Sequence, residues 1–90
     1  MSQNEKPDSI QVTVTFPLAG APFHGTYSPT TPVSLVRAAA MKDFNISEDP
    51  SSVYYLTHEG ERLSDDRQLG EIAGHAHGLK LRLVKDLVQG

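Results

Sequence analysis

The sequence predicts an α+β roll in which a mixed sheet of four to five strands packs on one α-helix. Three stretches carry that expectation. Ile10–Phe16 alternates apolar and polar residues, Thr30–Phe44 repeats its apolar positions at helical spacing, and Leu79, Leu81 and Leu83 alternate with Lys80, Arg82 and Val84. A helix with one apolar stripe cannot shield that stripe alone, and a sheet with one leucine- and valine-lined face is the surface that covers it.

Met1–Ser9 is polar, contains Pro7 and has no apolar side chain to pack beyond Met1, so a disordered N-terminal tail over 1–9 is expected. Ile10, Val12, Val14 and Phe16 then share one face, with Gln11, Thr13 and Thr15 on the other, the period of a half-buried strand. The PLAGAP turn, with Pro17, Gly20 and Pro22, leads into FHGTY, where Phe23, Gly25 and Tyr27 share a face and complete a hairpin. Gly25 leaves a gap on that face, which close approach of the helix backbone would explain.

In the helix, Thr31 is positioned as N-cap and Pro32 as the first helical residue, followed by an alanine run that favours propagation. At about 100° per residue, Val33, Val36, Ala40 and Phe44 form one stripe with Ala39 at its edge. Leu35 lies off that stripe, as a surface leucine or under the N-terminal tail. Asn45 suits a left-handed C-cap, with Ile46 folding back onto the helix end. Val53–Leu56 reads as a strand, Glu59-Gly60 as a tight reversal, and Leu63 as the end of a short return. Ser64 or Asp65 then caps a single helical or 3₁₀ turn that points Leu69 and Ile72 into the core. GHAHG breaks the chain before the last strand, and KDLVQG reads as a flexible tail over 85–90. The folded domain is thus expected over 10–84. For the leucines of the last strand to be buried, it should lie beside the first strand and parallel to it.

Composition narrows the function classes. Eleven acidic against eight basic side chains give a formal charge of −3 without a basic run, which argues against nucleic acid. The absence of cysteine excludes disulfides, thiolate metal sites and nucleophilic thiols. No stretch has the apolar length of a signal core or membrane span, so no membrane partner and a cytoplasmic location are expected. A single domain of this size is cramped for catalysis, and no enzyme activity or cofactor is expected.

From Ile10 onward the pattern resembles the ubiquitin-like β-grasp family. IQVTVTF is similar to the family's first strand, TTPVSLVRAAA to the start of its helix, and VYYLTHEGERLSDDRQLGEI to its third and fourth strands with their 3₁₀ turn. LKLRLV is similar to its closing strand. The resemblance implies the order β-β-α-β-β-β with a short 3₁₀ turn before the last strand. It also implies a protein modifier whose C-terminal glycine carboxylate is activated, here Gly90, with activating and conjugating enzymes or other protein receptors as partners of a monomer. Such modifiers end in two glycines because a slender tail must thread a narrow channel; Gln89 departs from that pattern. The family's apolar patch on the outer sheet corresponds to Tyr54, Lys80 and Arg82, a basic and aromatic set that receptors for the ordinary patch would leave badly solvated. Two further readings stand beside the modifier: a noncovalent interaction module using Tyr54, Lys80 and Arg82, and a sulfur carrier with a terminal thiocarboxylate.

Other candidate chemistry has a plainer reading. His75 and His77, with His24 and His58, lack a carboxylate or thiol to complete a metal site and read as loop histidines. Asp65-Asp66 reads as helix-start charge rather than as an acid–base pair. Tyr54 and Tyr55 must point to opposite faces, one into the core and one outward.

Overall fold

The structure, a computed structural model, describes residues 8–47 and 50–87. Seven elements follow one another: β1 (Ile10–Thr15), β2 (Phe23–Tyr27), α1 (Val33–Asp43), β3 (Ser52–His58), β4 (Glu61–Arg62), α2 (Leu69–Ala73) and β5 (Gly78–Leu87). They build one five-stranded sheet in the order β2-β1-β5-β3-β4, with α1 across its inner face. The central pair is parallel, with Val12 opposite Leu79 and Val14 opposite Leu81, as the burial of both strands requires. All other pairs are antiparallel.

The core forms where alternation and helical period meet. Ile10, Val12 and Val14 of β1 and Leu79, Leu81 and Leu83 of β5 are buried against Val33, Val36, Ala40 and Met41 of α1. Full burial of each valine, leucine or isoleucine among them contributes about 1.5–3 kcal/mol. Met41, rather than Phe44, is the last fully inward residue of the helix; Phe44 is half-buried and stacks on Phe16 at 5.7 Å between ring centroids. Leu56, Leu63 and Leu69 close the other side of the core.

The two ends of α1 compare differently with expectation. At the C-terminus, Asn45 adopts φ 60°, its N–H donates to the Lys42 carbonyl, and the Ile46 N–H donates to that of Met41 at 2.8 Å. This pair of bonds is a Schellman cap, and Ile46 packs back onto the core as expected. At the N-terminus, the expected Thr31 cap is not made: Pro32 is the N-cap residue, without a side-chain cap bond, and the Thr31 hydroxyl lies 3.1 Å from that of Ser28. Backbone carbonyls from the later loop do the capping. The Val33 N–H donates to Arg67 at 2.8 Å and the Ser34 N–H to Asp65 at 3.0 Å, while the N–H groups of Leu69 and Gly70 donate back to Thr31 and Pro29. The bidentate pair Arg37–Asp65, at 3.2 and 3.1 Å, ties the same loop to the helix.

That exchange also displaces the second helix. The expected single helical or 3₁₀ turn is the short α-helix α2, but its N-cap is Gln68, without a side-chain cap, and not Ser64 or Asp65. Asp65 lies three residues before that cap position, and its carboxylate is held by Arg37. Leu69 is buried and Ile72 packs on the core, as expected. Gly70 sits so close to the preceding loop that a Cβ there would lie 2.9 Å from Pro29 Cβ and 3.1 Å from its carbonyl oxygen.

Two further expectations are corrected. β5 continues through Lys85, Asp86 and Leu87, expected in the flexible tail, because β3 begins at Ser52 and pairs with it to the end: Tyr54 with Lys85, Val53 with Asp86, Ser52 with Leu87. Backbone pairing is indifferent to side-chain polarity where both faces meet solvent. The gap at Gly25 is filled by the Tyr27 ring, 2.7 Å from where a Cβ would stand, and not by the helix backbone. The first seven residues of the expected N-terminal tail, and Val88 to Gly90, lie outside the described residues.

Candidate functional site

Burial of Leu79, Leu81 and Leu83 turns Lys80, Arg82 and Val84 to the opposite, outer face of the sheet. Cross-strand register then assembles the neighbours. Thr13 lies opposite Lys80 and Thr15 opposite Arg82 on the β1 side; Thr57 lies opposite Arg82 and Tyr55 opposite Val84 on the β3 side. On the far side of β3, Arg62 lies opposite Thr57. A single row of side chains, Thr15, Arg82, Thr57 and Arg62, thus crosses four strands.

The turn that places Arg62 is local chemistry. Glu59 and Gly60 both take positive φ, 53° and 86°, the signature of a two-residue hairpin turn. Its length sets His58 against Glu61 and Thr57 against Arg62. The Arg62 guanidinium then lies over the Tyr55 ring, 4.3 Å from its centroid.

An open groove of about 1020 Å³ runs over this face, floored by Lys80, Arg82 and Thr57 and walled by Pro17 and Leu18 of the β1–β2 turn. Leu18 is 78% exposed, an apolar residue held out beside a cationic floor. A smaller groove of about 630 Å³ shares Tyr55 and is lined by Arg62. Among the described residues no carboxylate forms an ion pair with Arg62, Lys80 or Arg82. Glu59 also lines the groove, but among the described residues it makes no ion pair with Lys80 or Arg82, and the floor is cationic in a chain of net charge −3.

Of the residues expected here from sequence, Lys80 and Arg82 are brought together and Tyr54 is not. Tyr54 shares the parity of buried Leu56, lies edge-on to Phe16 at 6.5 Å between centroids, and packs on the core. Tyr55 takes the outward position. The signal was present in VYYL: the leucine must face inward, which carries Tyr54 inward two residues earlier and leaves Tyr55 outside. Arg62 was missed, although the Glu59-Gly60 turn length fixes its register. Gln89 and Gly90, the expected conjugation residues, lie outside the described residues.

Among the described residues no three potential ligands group to hold a metal. His24 lies within hydrogen-bond distance of Thr13 Oγ1, at 3.2 Å, and His75 and His77 are exposed. Asp65 belongs to the Arg37 pair. Burial pushes the Tyr27 phenol above its ordinary value. No helix among the described residues is long and apolar enough to cross a membrane.

No protein-family model matches the chain, and no curated protein matches it by sequence. Solved structures do match. The ubiquitin of Caldiarchaeum subterraneum superposes with a TM-score of 0.72 at 24% identity, over 91% of this chain and 99% of that one. The fold is the ubiquitin-like β-grasp. A protein described under molecular mimicry of SUMO that promotes DNA repair matches the same β-grasp frame with a TM-score of 0.70 at 13% identity, over 92% of this chain and 99% of that one. The N-terminal ubiquitin-like domain of the 4931431F19Rik protein does so with a TM-score of 0.68 at 18% identity, over the whole of this chain and 86% of that one. Within this β-grasp, the cationic face lies on the side of the sheet away from α1.

Proposed function

We propose that this chain is a non-enzymatic ubiquitin-like protein that acts by docking an acidic segment of a protein partner on the outer face of its sheet. The observation that carries the reading is the groove over Lys80 and Arg82, with Leu18 as an apolar wall and, among the described residues, no ion pair to either cation. Complementary charge steers such a partner and suppresses others, while an aliphatic anchor beside Leu18 adds buried area. The chain is taken to work as a monomer in the cytoplasm, where a cysteine-free domain meets no redox demand.

The test uses partners recovered with the tagged chain from its own cells, then purified and titrated into the ¹⁵N-labelled protein. Amide shifts at Tyr55, Thr57, Lys80 and Arg82, and at least about a tenfold loss of affinity in Arg82→Glu, are expected. Shifts confined to the exposed side of α1, or an unaffected Arg82→Glu variant, would contradict the reading.

A second reading is covalent. The likeness to an archaeal ubiquitin over nearly that whole chain supports attachment through the Gly90 carboxylate, with Gln89 before it and activating and conjugating enzymes as partners. ATP would adenylate the carboxylate with release of pyrophosphate, and an enzyme thiol would then displace AMP to form a thioester. In the source cells, tagged protein should appear as a ladder of heavier conjugates that disappears on deletion of Gly90; an unchanged ladder would rule attachment at Gly90 out. A sulfur carrier would use the same carboxylate, and intact mass would show one oxygen replaced by sulfur.

A further inference from the structure

Thr57 is flanked across the sheet by two arginines, Arg82 of β5 on one side and Arg62 of β4 on the other. Neighbouring strands lie about 4.8 Å apart, so the two arginine backbones stand on the order of 10 Å from each other. Two arginine side chains can reach an anion seated above the threonine from that separation. The Arg62 guanidinium lies over the Tyr55 ring at 4.3 Å, and Tyr55 lines both the groove that holds Arg62 and the groove that holds Arg82 and Thr57. Lys80 lies on the same face of the same strand as Arg82, one alternation away.

We propose that this row recognises a phosphoryl group: Arg62 and Arg82 grip a phosphoserine or phosphothreonine in an extended segment of the partner, and the Thr57 hydroxyl donates to a remaining oxygen. The proposal rests on the docking function above and names the chemistry of the partner. A carboxylate offers two coplanar oxygens and is satisfied by one guanidinium fork. A phosphate carries a charge of about −1.5 to −2 and three acceptor oxygens, which suits two forks and a hydroxyl. The surroundings favour a peptide over a lipid headgroup. Pro17 and Leu18 line the groove over Arg82, as do Glu59 and Gly60 of the β3–β4 turn, and a groove holds a single chain with an apolar side chain rather than a flat bilayer surface.

The experiment titrates the ¹⁵N-labelled full chain with three peptides differing at one position: Leu-Gly-phosphoserine-Gly, its aspartate form and its serine form, all at one ionic strength. Amide shifts centred on Tyr55, Thr57 and Arg82 are expected, with the phosphopeptide binding about tenfold tighter than the aspartate peptide. Arg62→Ala and Arg82→Ala should each cost about tenfold, and Arg82→Lys less, because it keeps the charge and loses the fork. Spectra unchanged away from the site verify that each variant is folded. Equal affinity for phosphoserine and aspartate, shifts elsewhere, or no shift with any peptide would overturn the proposal. So would binding to phosphoinositide-containing vesicles that surpasses the phosphopeptide. Each of these failures leaves the docking function intact if Arg82→Glu still abolishes capture of the native partner; if it does not, the docking function itself has failed.

Discussion

Strand β5 turns Leu79, Leu81 and Leu83 to α1 on one side and Lys80 and Arg82 to solvent on the other, and the two faces are held to different standards. On the inner face, Leu79, Leu81 and Leu83 sit among β1 and α1 side chains at interior density, so each methyl group counts toward stability. On the outer face, Lys80 and Arg82 are exposed, so their identity is less constrained by packing. The lesson is that alternation alone separates packing from exposure here: Leu81 is buried and its neighbour Arg82 is exposed on the face proposed for docking.

The largest expected effect lies on the inner face. Leu83→Ala removes a fully buried side chain opposite Leu56, and should cost about 3 kcal/mol, seen as a fall in Tm of more than about 10 °C. Arg82→Ala, one residue away, should stay within about 0.5 kcal/mol of the parent in the same denaturation series. Comparable losses from both would erase the distinction between the faces.

Next in size is the clasp between the two loops that brace α1. Gly70→Ala forces a methyl group against Pro29 and should cost about 1–3 kcal/mol by chemical denaturation, with partner binding unchanged. A smaller loss, about 0.5–1 kcal/mol, is expected of Asp65→Asn. Its bond to Arg37 is bidentate, but the Asp65 side chain is 55% exposed and the attraction is partly screened. Salt titration of the parent and variant should narrow the gap between them.

The smallest effect is alkaline. Burial raises the Tyr27 phenol in the folded chain, so the folded state holds its proton after the unfolded state has released it. The contribution of the neutral phenol is fully present below the unfolded value near pH 10 and is lost as pH rises through the raised folded value. Tm should therefore fall more steeply above about pH 10 in the parent than in Tyr27→Phe; equal slopes would remove the phenol from the account.

Sequence reasoning reached the elements whose signals are local. Alternation in Ile10–Val14 and Leu79–Leu83 placed the central parallel pair, and Asn45 followed by Ile46 announced the Schellman cap. It failed where distant backbone intervenes. Thr31 suited a cap by residue type, but the carbonyls of Asp65 and Arg67, more than a helix length away in sequence, took the role. The end of β5 looked too polar for a sheet, yet pairing with β3 asks only for backbone. At the candidate site, Lys80 and Arg82 were legible from the leucines between which they alternate. Tyr54 was assigned to the wrong face because its parity was not tied to Leu56, and Arg62 was missed because a two-residue strand carries no periodic signal of its own.

Reversal of the charges at both arginines, Arg62→Glu with Arg82→Glu, followed by parallel measurement of the unfolding midpoint and of native-partner capture, tests the central claim most directly. The account predicts a midpoint close to that of the parent and capture reduced to background, since the outer face is for recognition and not for folding. A variant that stays folded and still captures its partner at parental strength would contradict it.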